Sequence, residues 1–140
     1  MFGNCAPVNS FDYVFIDCPP ALGWLTLNAF TASDEVIVSP GYFELDSIVQ
    51  ISKTIAETQR QFNPRLQLRG LLFTMNDSTV NTMNSLTILR KMYGDRLLQT
   101  IIPRNTDLRD AHFSKQDIFR YNPHTKGAVV YARLIEELYP

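Results

Sequence analysis

Two hydrophobic rhythms run along this chain: short continuous apolar runs, and longer stretches with a period near 3.6. Val14, Phe15 and Ile16 form the first run and Asp17 ends it; such a run predicts a short strand buried on both faces of a parallel sheet. Pro19 and Pro20 then stop the ladder, since neither ring nitrogen carries a donor. Leu27 and Phe30 stand beside Trp24 at helical spacing and predict a short helix over 24–31. A brief strand over 34–38 follows, with Ser39, Pro40 and Gly41 as the loop at its end. Between 42 and 62, Leu45, Ile48, Ile51, Ile55 and Phe62 recur near 3.6 spacing, while Lys53, Glu57 and Arg60 lie off that stripe. This predicts the longest helix, ended by Asn63-Pro64.

Residues 66–74 alternate at Leu66 and Leu68, then become continuously apolar from Gly70 to Phe73, as a strand entering the middle of a sheet does. A loop over 75–82 leads to a helix over 83–93, with Met83, Leu86, Leu89 or Arg90, and Tyr93 at 3 to 4 spacing and Gly94 at its carboxyl cap. The run 97–102 predicts another strand, ended by Pro103, and Arg104, Asn105 and Thr106 form the turn beyond it. A helical segment over 107–115, a loop over 121–127 and a final helix over 128–139 complete the pattern; the last should turn Val130, Tyr131, Leu134, Ile135 and Leu138 inward. Strands alternating with helices predict an α/β fold: a doubly wound, mostly parallel sheet flanked by helices. One domain over 11–140, preceded by a lead over 1–10, accounts for the chain.

Composition adds little to this until the order of charges is considered. With 140 residues, 45% of them hydrophobic, the chain can build a single core. No apolar run approaches the ~18 residues of a membrane span, and 1–10 lacks the features of a signal peptide, so a cytoplasmic location is the expectation. Cys5 and Cys18 have no metal-ligand spacing and read as free thiols; His112 and His124 read as solvated. The net charge of −1 hides an asymmetry: residues 1–52 hold Asp12, Asp17, Asp34, Glu35, Glu44 and Asp46 with no Lys or Arg, and the rest is net basic. Such a divided surface steers charged partners to one side.

The candidate chemistry begins at 11–23, FDYVFIDCPPALG. Asp17 at the carboxyl end of a strand would sit where open α/β sheets bind ligands. Gly23, lacking a Cβ, either lets backbone approach a bulky anion or takes a dihedral closed to other residues. FIDCPPALG resembles the Walker B segment and following switch of the ParA/MinD-like P-loop ATPases, in which the aspartate holds magnesium, usually through water. FTMND at 73–77, IIPRN at 101–105 and YNPHTKGA at 121–128 resemble later landmarks of the ParA partitioning branch, in its order and near its spacing. The resemblance covers about the carboxyl-terminal half of such an ATPase. It implies ATP or ADP and magnesium as ligands, Asp17 as the metal-side acid, Gly23 in the switch, and Met75, Asn76, Pro103 and Asn105 around adenine. No stretch reads G-x-x-x-x-G-K-[ST], the phosphate-cradling loop, so the chain by itself is expected to hydrolyse no ATP above background.

The resemblance also implies sequence-independent DNA binding through Arg104, Arg109, Lys115 and Arg120, and a ParB-like partner. Thr79 and Asp107 stand where ParA proteins commonly carry arginine, and Asp107, Asp110 and Asp117 lie among the bases. Asn28 and Glu44 are read as belonging to a helix polar face and a helix first turn. The rival reading is a non-catalytic interaction module that pairs with an intact ATPase or with DNA. Finally, the family's phosphate-loop strand lies beside the Walker B strand. Without it, the Asp17 strand should either drive self-association or be closed directly by the 34–38 strand.

Overall fold

The computed structural model describes residues 10–40 and 45–140. Residues 1–9 with Cys5, the loop residue Gly41, the expected helix start at Tyr42, Glu44, and the inward placing of the Leu45 side chain lie outside the described residues. The order of elements is α1 (Trp24–Ala32), β1 (Glu35–Val38), α2 (Leu45–Gln61), β2 (Gln67–Leu71), α3 (Val80–Tyr93), α4 (Thr106–Phe113), α5 (Ile118–Tyr121) and α6 (Lys126–Leu138).

β1 and β2 pair in parallel, as expected of strands joined through a helix. The register runs Glu35↔Gln67 and Val36↔Leu68, then skips Arg69 to continue Ile37↔Gly70 and Val38↔Leu71. Gly70 follows this bulge because a Cβ there would lie 2.9 Å from Leu98 Cδ2. Its absence lets the 97–102 segment run close alongside. That segment continues the parallel pairing: Leu98 N–H donates to Leu71 C=O at 3.0 Å, and Ile102 N–H to Phe73 C=O at 2.9 Å. The expected strand over 97–102 is nevertheless broken into two bridges, Leu71↔Leu97 and Asn76↔Pro103. Glu137 of α6 is the cause, its carboxylate accepting the N–H groups of Gln99 at 2.6 Å and Thr100 at 2.9 Å and drawing that stretch out of the ladder.

Alternate residues of the strands face opposite layers, which is the doubly wound arrangement. On one side Val36, Val38, Leu71 and Phe73 pack with Ile48 and Ile55 of α2 and with Leu86 and Leu89 of α3. On the other, Ile37 and Leu72 pack with Leu98, Ile102, Leu134 and Leu138. The helix stripes are shifted from expectation at their ends. Phe62 lies past the end of α2 and is exposed, Met83 and Ile135 are each 51% exposed, and Trp24 is 81% exposed, while Thr58 and Thr82 are buried. Thr58 is admitted because its hydroxyl donates to Thr54 C=O at 2.8 Å within α2, leaving its methyl for the core.

The largest correction falls on residues 11–17. Val14, Phe15 and Ile16 form no strand, and they are exposed by 56%, 76% and 50%. A strand is made by its neighbours. No backbone–backbone hydrogen bond joins 11–17 to another described residue, and β1 does not close onto it. The two are instead separated by an open cavity of about 1370 Å³. A ring contact ties Tyr13 of this segment to Tyr139 just past α6, with centroids 4.6 Å apart.

Candidate functional site

Asp17 lies on the exposed segment and lines the large cavity together with Cys18, Pro19 and Pro20. Cys18 is a free thiol. Gly23 is the N-cap of α1 with φ −109°, which any residue adopts, so its dihedral does not require glycine. A Cβ there would meet nothing within 4 Å, so the surroundings are open rather than tightly packed.

The second group is built where the sheet ends. Asn76 N–H donates to Ile102 C=O at 3.1 Å and Arg104 N–H donates to Asn76 C=O at 3.0 Å, which sets Asn76 opposite Pro103. Met75, one residue before, takes φ 56° and is 59% exposed; Ser78 takes φ 60°. Two non-glycine residues in the left-handed region within four positions mark a strained turn. Side-chain oxygens hold it. Asn76 Oδ1 accepts from Ser78 N–H at 2.9 Å, while Asp77 Oδ1 accepts from Thr79 N–H at 3.1 Å and from the Thr82 hydroxyl at 2.7 Å. The Thr82 hydroxyl and then the Thr79 N–H hold the Asp77 carboxyl below its ordinary range. On the neighbouring line Asn105 caps α4, its Oδ1 accepting from Asp107 N–H at 2.6 Å and Leu108 N–H at 3.4 Å.

The fold thus brings Met75, Asn76, Pro103 and Asn105 to one edge of the sheet. Both asparagines use their oxygens locally, and their NH₂ groups make no hydrogen bond among the described residues. An exposed thioether, a proline ring and two free amide donors suit an aromatic base with acceptor nitrogens. No hydrogen bond or ion pair joins this edge to Asp17 among the described residues. Sequence reasoning missed Asp77, Thr79 and Thr82 by running the loop to 82. The available signal was Asp-Ser-Thr immediately before a helix, the signature of an N-terminus; Thr79 is indeed the cap, accepting from Thr82 N–H.

Whether magnesium and phosphates suit these residues can be judged separately. Among the described residues no group of three or more His, Cys, Asp and Glu could hold a metal ion. Asp17 alone therefore fits magnesium only as one partner among waters and phosphate oxygens, which is how that ion is commonly held. Among the described residues, the large cavity's lining offers no Lys or Arg side chain to phosphate.

The four basic residues are exposed. Arg109 lies 3.7 Å from Asp110 and Arg120 lies 3.4 Å from Asp117, so two of the four are partly neutralised. Lys115 follows α4 with φ 53°. His112 and His124 are both exposed, and among the described residues no helix is long and apolar enough to cross a membrane.

Comparison with known proteins gives these positions context. A family described as "AAA domain" matches residues 6–68. The sporulation initiation inhibitor protein Soj of Bacillus subtilis is 38% identical over 132 residues, covering 92% of this chain and 52% of that protein. The chromosome-partitioning ATPase Soj of Thermus thermophilus is 37% identical over 131 residues, covering 91% of this chain and 53% of its own length. Among solved structures, the cobyrinic acid a,c-diamide synthase of Mycobacterium smegmatis with bound ATP analogue and magnesium superposes with a TM-score of 0.72 at 31% identity. It covers 92% of this chain and 48% of that one. The same synthase with ADP and magnesium gives 0.70 at 30% identity over 92% and 47%. The chain spans about half the length of the curated relatives it matches.

Proposed function

The chain belongs to the ParA-like P-loop ATPase family, and from that premise we propose that it forms the magnesium-side and base-side half of a nucleotide switch used in DNA partitioning. The likeness to a fold solved with an ATP analogue and magnesium carries this reading. In this reading Asp17 would hold magnesium through water, Gly23 would leave room beside the phosphates, and Met75, Asn76, Pro103 and Asn105 would hold adenine. Bound magnesium would supply charge neutralisation at the phosphates. These 140 residues contain no phosphate loop and by themselves hydrolyse no ATP above background. Binding is weak, because the base is held and the phosphates are not.

Titration calorimetry with ADP and ATP, with and without magnesium, tests this directly. Weak binding that is lost in a Met75→Ala/Asn76→Ala variant and loses its magnesium dependence in Asp17→Ala supports the assignment. Turnover abolished by Asp17→Ala would overturn the catalytic part, and an absence of nucleotide binding would overturn the site.

In the same reading, Arg104, Arg109, Lys115 and Arg120 contact DNA phosphates without sequence preference, and a ParB-like protein is the partner. Four phosphate contacts give a slope of roughly −3.6 in log K against log salt. The Asp110 and Asp117 pairings reduce it further. Gel shift at 25 mM salt with wild type and Arg104→Ala/Arg109→Ala distinguishes a contact surface, where only the wild type retards DNA, from a solvated one. The exposed Val14, Phe15 and Ile16 favour a second reading, an interaction module whose partner completes the sheet.

A further inference from the structure

Ser52, Ile55, Ala56 and Gln59 recur at i, i+3, i+4 and i+7 along α2, which places them on one face of that helix. That face, Leu68 of β2 and Arg96 of the short turn of helix Gly94–Arg96 after α3 line a second cavity, of about 330 Å³. It shares no lining residue with the large cavity, and none of residues 10–40 contributes to it. It lies at the amino end of the sheet, opposite the edge where Asn76 meets Pro103. Its apolar floor is given by Ile55, which is buried, and Leu68, which is half-buried.

Its polar groups are donors in search of an acceptor. Arg96 is the one charged residue of the lining, and among the described residues its guanidinium makes no ion pair or hydrogen bond. Gln59 gives one Nε2 hydrogen to the Leu66 carbonyl at 2.6 Å and keeps the other, while the Ser52 hydroxyl makes no hydrogen bond among the described residues. A planar guanidinium matches a carboxylate, two N–H groups to two oxygens. Inorganic phosphate would meet a single positive charge and leave Ile55 and Leu68 uncovered. A peptide strand would find no ladder to join, because β2 is bonded to β1 on one side and to the 97–102 segment on the other.

We infer that this cavity binds a small monocarboxylic acid with a short aliphatic or aromatic body, its carboxylate on Arg96 and its body against Ile55 and Leu68. A volume at the small end of ligand sites admits one such molecule. Arg96 is exposed, so water screens the pair and binding is of roughly millimolar strength. No nucleotide is needed for it.

The test is an NMR titration of the full 140-residue chain with sodium benzoate, benzamide, inorganic phosphate and acetyl-Gly-Gly-Leu with a free carboxyl end. Benzoate should give saturable shifts at the Arg96 side-chain N–H, the Ile55 and Leu68 methyls and the Ser52 amide. Benzamide, the same body without the charge, should bind about tenfold more weakly, and phosphate should give no saturable shift at these residues. Arg96→Gln should weaken benzoate about tenfold, and Arg96→Lys, which keeps the charge without the fork, about threefold. Ala56→Leu puts a helix-compatible side chain into the cavity from an exposed position and should abolish the shifts without touching the core. Arg65→Gln, an exposed cation outside the lining, should change nothing. Equal binding of benzoate and benzamide, benzoate shifts that survive Arg96→Gln or Ala56→Leu, or no saturable shift at all would overturn the inference. A peptide bound tenfold more tightly than benzoate would overturn it too, by showing that the cavity takes a chain end.

Discussion

Asn105 commits its side-chain oxygen to the first turn of α4 and leaves only its NH₂ for a ligand. Asn105→Ala should therefore lower stability by about 1 kcal/mol, read as a shift in denaturant midpoint. Asn105→Asp keeps the cap and should restore that stability while weakening adenine nucleotide binding; if it restores both, the NH₂ group holds no base. Glu137 provides a pH handle. Partial burial pushes its carboxyl up, but the Thr100 hydroxyl and the N–H groups of Gln99 and Thr100 outweigh this and hold it below the usual carboxylate range. A depressed folded-state pKa means stability present above the unfolded value, about 4.3, and lost as pH falls through the folded one. Thermal melts between pH 3 and 7 should show Glu137→Gln losing about 1 kcal/mol at neutral pH, the charged hydrogen bonds being discounted for their partial exposure. The difference from wild type should fade toward pH 3. At this scale sequence showed which residues are chemically able, such as Asp17 and Asn76. It could not show that Asn76 would turn its oxygen back on the chain, because that depends on a turn whose φ values, 56° at Met75 and 60° at Ser78, are not written in composition.

Among the elements, Gly70 is where β2 admits its neighbour. Gly70→Ala places a methyl 2.9 Å from Leu98 Cδ2 and 3.3 Å from Arg96 C=O, and the backbone oxygen cannot give way as a side chain can. A loss of about 1–3 kcal/mol is expected, with the Leu98 amide losing protection from exchange. Element type was readable wherever a long apolar stripe exists: α2, α6, β1 and β2 stand within a few residues of expectation. Errors gathered where a stripe continues in sequence after its helix or partner has ended. Phe62 keeps the period of α2 but lies beyond its last turn. Met83 has the right hydrophobicity for α3, yet Thr82 takes the inward place because its hydroxyl is satisfied by Asp77 and its methyl packs. The break in the 97–102 strand was invisible because Glu137, 38 residues away from Gln99, makes it.

For the whole molecule, the layers followed from alternating strands and helices, whereas the fate of residues 11–17 did not. An apolar run states what a segment could bury and not whether a neighbour is present to bury it. Two measurements follow from its exposure. Trp24, 81% exposed, should emit as a water-exposed indole and be quenched freely by iodide. The amides of Val14, Phe15 and Ile16 should exchange far faster than those of Leu98 and Ile102, which are bonded within the sheet; equal protection would show that the segment is paired in solution. The last turn of α6 carries a different consequence. Glu137 holds Gln99 and Thr100, the Leu138 carbonyl accepts from Arg69, and Tyr139 meets Tyr13. Those three ties close loops of very different length, up to nearly the whole chain, and long closures cost entropy before any contact offsets it. They belong to the late, post-barrier side of folding, so Glu137→Gln should hasten unfolding about fivefold and leave the refolding rate nearly unchanged. The turn of α6 that fastens three distant segments governs how long the native state persists rather than how quickly it is found.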